Sequence, residues 1–455
     1  MGKASTPCSQ DSSVRPGRKL SEHGPEQSSQ WTTIARIGGR SPARAGRTLT
    51  FATCSAVASM RTTALVAIAV LQACALERLP AVPENSTEAA VVPGIPDSRL
   101  WLDRSLAAFI HVAVADNERE RNARLRAGLS VDPMPPIQFL AISGGGDDGA
   151  FGAGVLCGWT ASGTRPQFKV VTGISAGALI APFAFLGPAY DDVLREVATS
   201  LRPGGVFRAR GSIAGLLRDG MASSDPLRRL VERYITPQLL AEIAREYASG
   251  RALQIATTDL DAGRQVTWNM GAIASSAAPG ALQLFRSIMV ASTSIPGAVS
   301  PVMIDVEVGG KRYQEMHVDG GVISQLFAYP SHALVELEKA TGKPLNRSIR
   351  LYVIRNGRLD PEWSETPRRT VSIGGRAISA LVQAEGVADV HRIFRTAVRD
   401  GADFNLAYIG TDFHSAPHER FDAPYMQSLF DYGYQLARDG AQWHKAPPGE
   451  GESAK

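Results

Sequence analysis

The sequence is poor in cysteine and has no long apolar run, and both scarcities narrow what it can do. Four cysteines stand among 455 residues, Cys8, Cys54, Cys74 and Cys157. They form no CxxC pair and no cluster with histidine, so no zinc site and no intramolecular disulfide is indicated. No apolar stretch approaches the roughly 20 residues a membrane-spanning helix needs. Excess charge is missing too. The net charge of +4 is carried by the first 59 residues, which hold eight basic and three acidic side chains. The rest of the chain balances 40 basic against 41 acidic residues, which leaves no basic footprint for nucleic acid. Hydrophobic and charged contents of 44% and 20% are ordinary and permit a sizeable core.

Residues 1–59 are rich in Ser, Arg, Gly and Pro, show little hydrophobic periodicity and should not fold alone. They read as a disordered tail or as a segment upstream of the true start. Met60 favours the second reading. From it the chain runs "MRTTALVAIAVLQACALERLP", with Arg61 followed by the apolar stretch Ala64–Leu71 and then Leu71-Gln-Ala-Cys74. That order suits a bacterial lipoprotein signal peptide over 60–74, with Cys74 as the acylated residue, although Gln72 is not the usual small residue. The alternative is a buried helix near the domain edge. The first reading places the protein in a bacterial cell envelope, anchored to a membrane.

Residues 75–133 read as a Pro-rich linker followed by a charged helical lead-in. From there to about 445, short apolar runs alternate with longer helical segments. Strands are expected at "IQFLAIS", "FKVVT", "LQIATTDL", "RLYVIRN" and "FNLAYIG", and helices at Ala150–Thr160 and Ala176–Leu186. This pattern predicts βαβ units, one large α/β domain over 134–445, and a short tail at 446–455. No internal repeat is present.

Chemistry concentrates in three places. "AISGGGDDGAFGAG", Ala141–Gly154, has the letters of a dinucleotide fingerprint through Gly144, Gly146 and Gly149. That reading needs an acid at the end of the second strand, and none is there. No Lys-Ser/Thr follows the glycines, so a phosphate loop fails as well. The second strand runs instead into Gly173-Ile174-Ser175-Ala176-Gly177, a G-x-S-x-G elbow that lifts a serine clear of the backbone. In isolation Ser175 could equally cap the following helix. The amides of Gly144, Gly145 and Gly146 lie one crossover upstream, at the same sheet edge, and read as an oxyanion hole. The third place is Asp319-Gly320-Gly321, which could supply a base or simply be a hairpin turn.

Taken in order, GGGxxG, GISAG and DGG resemble the patatin-like phospholipase family. "FGAGVLCGW", "VVTGISAGALIAPFAFLG", "ATTDLDAGRQVTWNMGAIA" and "ASTSIPGAVSPV" are similar to its bacterial members. The resemblance covers about residues 137–445. It implies a three-layer α/β fold with a mostly parallel central sheet and helices on both faces. It also implies lipid ester hydrolysis by a Ser175–Asp319 dyad, with Ser175 as nucleophile and Asp319 as proton acceptor. No cofactor and no metal are expected, and the partners would be a lipid or phospholipid substrate and a membrane surface. The family often has Arg or Lys where this chain has Asp148. Both Asp147 and Asp148 are expected to face solvent at the helix start, where negative charge is favoured.

Two rivals stay open. A Ser-His-Asp triad would use Ser175, Asp319 and one of His332, His391, His414 or His418, but His332 falls in a predicted helix and the last two in a surface loop. His317 would share the strand face of Asp319. The other rival is an envelope-anchored binding or scaffold protein with a degenerate site, with Asp148 as its best support. Residues 201–235 mix arginine with apolar side chains, as a lid or a surface helix would, and Phe421–Gly440 reads as a closing helix.

Overall fold

Alternation along two neighbouring strands sets the layers of the molecule. A computed structural model describes residues 78–450 except 104–105, 201–207, 210–221, 343–344 and 441–442. The signal-peptide reading, with Cys74, and the upstream segment 1–59 lie outside the described residues, as does much of the 201–235 stretch. The strands are β1 (Arg99–Leu100), β2 (Ile137–Ile142), β3 (Val170–Ile174), β4 (Arg208–Ala209), β5 (Ala222–Ser223), β6 (Ala252–Asp259), β7 (Arg264–Asn269), β8 (Val302–Val308), β9 (Lys311–Asp319), β10 (Ile349–Arg355) and β11 (Asp403–Tyr408). The helices are α1 (Leu106–Arg126), α2 (Gly149–Ala161), α3 (Ala176–Leu186), α4 (Asp191–Ser200), α5 (Asp225–Tyr234), α6 (Pro237–Ala248), α7 (Met270–Ser275), α8 (Ala281–Ala291), α9 (Ala333–Thr341), α10 (Thr370–Arg399) and α11 (Ala423–Arg438).

The main sheet runs β1-β7-β6-β3-β2-β10-β11, and β6, β3, β2, β10 and β11 are mutually parallel. Leu140 and Ile142 of β2, with Tyr352 and Ile354 of β10, pack into one core with Phe151 of α2 and Phe430 of α11. The alternate residues Phe139, Ala141, Leu351 and Val353 pack on the opposite face with Val390 and Ile393 of α10. Period-two burial on both faces is what a sheet covered by helices on each side requires. The fold has the parallel βαβ units that the pattern predicts and the three layers that the resemblance implies.

Three features differ from the sequence reading. Of the antiparallel flank formed by β7, β8 and β9, the sequence reading reaches only the strand end at His317–Asp319, because β7 and the β8–β9 hairpin show none of the long apolar runs that mark the central strands. The stretch read as a linker is built into the sheet: β1 pairs with β7, and Val82, Ile95 and Trp101 are buried. His332 precedes α9 rather than lying inside it, with a left-handed φ of 67°. The lead-in helix, the elbow helix and the closing helix fall where expected, as α1, α3 and α11. Helix α2 is apolar all round and buried over Gly149–Trp159, as a helix enclosed in a core must be.

Candidate active site

Strands β3 and β9 meet end to end along β6. β3 runs parallel to β6 and stops with Ile174 opposite Ala256. β9 runs antiparallel to it and stops with Asp319 opposite Thr257. One step of register along β6 therefore sets the residue after β3 against the last residue of β9. Ser175 Oγ donates to Asp319 Oδ2 at 2.6 Å.

Ser175 has φ 53° and ψ −121°, a conformation that is costly for a residue with a Cβ. Bonds on both sides hold it. Its N–H donates to Ser292 Oγ at 3.0 Å, and Ser292 Oγ donates to the Ala256 carbonyl at 2.7 Å. Its own carbonyl accepts the Ala178 N–H at 2.9 Å and so starts α3. The Ser175 side chain makes no capping bond to that helix. The hydroxyl is turned to the carboxylate instead.

Asp319 is 5% exposed. Its Oδ1 accepts the Gly321 N–H at 2.8 Å, and its backbone N–H donates to the Ser294 carbonyl at 2.9 Å. Burial pushes the carboxyl up to about 6, against the bonds from Ser175 and Gly321 that favour its charged form. Gly320 and Gly321 open a short 3-10 turn, Gly320–Val322, rather than a hairpin.

The glycine loop divides its labour. The Gly144 N–H donates to the Gln325 carbonyl at 3.2 Å, so it is committed to the fold and cannot serve an oxyanion. Among the described residues no hydrogen bond occupies the N–H of Gly145 or of Gly146. Gly145 lies so close to Asn356 that a Cβ would collide with its carbonyl oxygen, and Gly146 has a left-handed φ of 59°. The other motif glycines are packing positions. A Cβ on Gly149 would press on Ala176, one on Gly173 would press on Gly177, and one on Gly177 would press on the Ile142 carbonyl.

Asp147 and Asp148 are half-buried and hydrogen-bonded within the chain rather than free in solvent. Asp147 Oδ2 accepts the Phe421 N–H at 2.6 Å, and Asp148 Oδ1 accepts the Tyr425 hydroxyl at 2.6 Å. Both acids turn inward because the start of α11 packs over the start of α2 and offers them two donors. Burial raises both carboxyls, that of Asp148 to about 6. Phe421 itself has a left-handed φ of 57°.

Two residues that the sequence did not flag support the loop. Asn356 Nδ2 donates to the Ser143 carbonyl at 2.9 Å, and its Oδ1 accepts the Gly152 N–H at 3.0 Å. Arg355 is buried, and its Nη1 donates to Ser143 Oγ and the Gly144 carbonyl, each at 3.3 Å. Arg355 of β10 thus places a positive charge behind the loop. In the sequence these two letters only end an apolar strand. The pairing of β10 with β2 is what delivers them.

The histidines lie elsewhere. His317 Nδ1 meets Thr257 Oγ1 at 2.9 Å and its Nε2 meets Glu315 Oε2 at 3.2 Å, while Glu315 is paired with Arg99 of β1. His391 Nδ1 meets Glu450 Oε1 at 3.1 Å. Among the described residues no histidine is hydrogen-bonded to Ser175 or Asp319, and no group of His, Cys, Asp and Glu could hold a metal ion. Cys157 is buried, and burial pushes its thiol up to about 12, so it is no nucleophile.

Ser175 lines an apolar pocket that opens to solvent. Leu179, Ile180, Leu194, Val197, Leu227 and Met426 line it, and Arg420 alone among the lining residues is charged. Leu227 belongs to α5, so the described part of the 201–235 stretch contributes to the pocket wall.

Residues 140–330 match the family model described as Patatin-like phospholipase. No curated protein matches the chain. Among solved structures, VipD from Legionella pneumophila is similar over 67% of each chain, at 11% identity and a TM-score of 0.31. That likeness is too slight to carry an inference.

Proposed function

We propose that this chain, whose residues 140–330 form a patatin-like phospholipase domain, is a serine acyl hydrolase of lipid esters acting through Ser175 and Asp319. One observation carries the reading: a buried carboxylate accepts the hydroxyl of a strained elbow serine at the head of an apolar cavity. Ser175 Oγ attacks the ester carbonyl carbon while its proton passes to Asp319 Oδ2. The Gly321 N–H keeps that carboxylate in register by holding Oδ1. The carbonyl oxygen takes the negative charge and is met by the amides of Gly145 and Gly146, with the N-terminus of α2 behind them. Collapse of the tetrahedral species breaks the bond to the alcohol oxygen, which leaves with the proton from Asp319. Water then repeats the sequence on the acyl-serine and releases a carboxylic acid.

The cavity suits an acyl chain, because each methylene it buries contributes about 0.8 kcal/mol. Its described lining offers no array of donors that would select a sugar or a peptide. An aspartate base near neutral pH requires a carboxyl raised from its ordinary range, and burial supplies that rise.

Turnover of a soluble p-nitrophenyl ester and of phospholipid tests the proposal. Ser175→Ala and Asp319→Asn should each lower kcat/KM by about a thousandfold or more. Full activity in folded Ser175→Ala would overturn it.

A further inference from the structure

The amides of Gly145 and Gly146, which meet the oxyanion in the proposed mechanism, are held by different means. Gly145 is wedged in place, since a Cβ there would collide with the Asn356 carbonyl. Gly146 has no such support. Among the described residues, no atom beyond its chain neighbours lies within 4 Å of where its Cβ would stand. Its φ of 59° is one of several that a glycine adopts at little cost. The Gly146 amide is therefore placed by the rest of the 3-10 turn that it opens, Gly146–Asp148.

That turn hangs from α11. Asp147 Oδ2 accepts the Phe421 N–H and Asp148 Oδ1 accepts the Tyr425 hydroxyl, each at 2.6 Å. Consecutive residues of the turn are thus tied to two positions at the head of one helix. The helix is a rigid support. It crosses α2 in backbone contact, because a Cβ on Gly154 or Gly158 would collide with the carbonyl of Phe430 or of Tyr434. Its first turn is closed by the Met426 N–H on the Asp422 carbonyl at 2.9 Å, and Asp422 Oδ2 holds the His418 N–H at 2.9 Å. The Tyr425 ring is buried and meets Phe413 edge-on at 6.0 Å, which aims its hydroxyl. Of the two ties, the one from Tyr425 is made by a side chain, so it can be removed while Phe421 and Met426 stay in the pocket wall.

We propose that Tyr425 and Asp148 are positioning residues for the hydrolysis, their bond setting the Gly146 amide where the oxyanion forms. This rests on the reading of the site as a serine hydrolase with Gly145 and Gly146 as donors. An amide stabilises an oxyanion from about 2.7–3.1 Å, measured to where the charged oxygen will be rather than to the ground-state carbonyl. A displaced donor therefore costs transition-state binding and leaves substrate binding alone. Asp148 acts in this role as an acceptor for the Tyr425 hydroxyl.

The test uses the full chain carrying Tyr425→Phe, which keeps the buried ring. With a soluble p-nitrophenyl ester, kcat per active site should fall about tenfold while KM stays within about twofold of wild type. An alkyl trifluoromethyl ketone gives a second readout. Ser175 Oγ adds to its carbonyl carbon, the proton passes to Asp319 and the ketone oxygen becomes the oxyanion, so its Ki should rise about tenfold too. The matching alkyl alcohol fills the pocket and forms no oxyanion, and should inhibit as it does wild type. A purely structural role would lower the number of active sites, counted by fluorophosphonate, and leave kcat per site and the ketone Ki unmoved. Asp148→Ala should repeat the Tyr425→Phe result, and Asp148→Asn, which keeps an acceptor, should recover most of the lost kcat. Tyr425→Phe combined with Asp148→Ala should cost no more than either alone. Tyr425→Phe with the kcat and ketone affinity of wild type would overturn the proposal, as would losses that multiply in the double variant. If wild type neither hydrolyses the ester nor binds the ketone, the hydrolase reading itself falls. If it does both while Tyr425→Phe matches it, the positioning role alone falls.

Discussion

Asp319 combines properties that pull against each other. It must be unprotonated to accept the Ser175 proton, yet its surroundings favour the protonated form and push the carboxyl up to about 6. The rate consequence follows directly. kcat/KM for a soluble ester should rise about tenfold per pH unit below 6 and level off above about 7. The stability consequence has the opposite direction. A carboxyl raised by folding contributes stability below its ordinary value of 3.8, and that contribution is lost as pH rises through about 6. Asp319→Asn, which carries no charge, should therefore resist urea better than wild type at pH 8, by on the order of 2 kcal/mol. The gap should close toward the ordinary carboxyl range. An asparagine variant that is inactive and also less stable at pH 8 would show that the fold does not hold this carboxylate against its preference. Ser175 and Asp319 stand out in the sequence because each sits in a short contiguous motif, although either motif alone also suits a helix cap or a hairpin turn. Ser292, which holds the strained serine by its backbone, was not legible, since 117 residues separate them.

Ends of elements rather than their interiors make the site, and most of what the sequence misjudged lies at such ends. The charge at position 148 is the clearest instance. A helix start tolerates an exposed acid well, so solvent was the natural expectation for Asp148. The start of α11 sits over it, and the Tyr425 hydroxyl supplies a partner from 277 positions away. The same packing delivers Phe421 to Asp147 and places Met426 in the cavity wall. With Arg355 of β10 already behind the loop, a second cation there has no role to fill. Asp148→Arg should lose the Tyr425 bond and set two guanidinium groups in one enclosed place, destabilising the fold by about 2–4 kcal/mol in urea unfolding. Asp148→Asn keeps an acceptor for Tyr425 and should stay within about 1 kcal/mol of wild type. An arginine variant more stable than wild type would contradict the clamp. Gly144 teaches the same lesson. Nothing in "SGGGDD" distinguishes its amide from the next two, and only the Gln325 carbonyl at 3.2 Å removes it from the oxyanion hole.

At the scale of the whole molecule, the central parallel strands were legible because both of their faces are buried and their letters run apolar. Of the antiparallel flank only the strand end at Asp319 was legible, although the whole of it carries that residue into place. β9 shows a mixed pattern, with Glu315 and His317 buried, since a pairing partner, Arg99, comes from the far end of the described chain. That ion pair also explains why a proline-rich stretch that reads as a linker is fixed to the sheet. Among the described residues no helix is long and apolar enough to cross a membrane. All of this geometry converges on one claim, that Ser175 is an activated nucleophile. Its most direct test is reaction of the full chain with a fluorophosphonate, read by intact mass and peptide mapping. The account predicts a single phosphonyl adduct on the peptide that contains Ser175, absent from Ser175→Ala and formed far more slowly in Asp319→Asn. A folded wild-type chain that takes up no adduct, or takes it up at another residue, would contradict it.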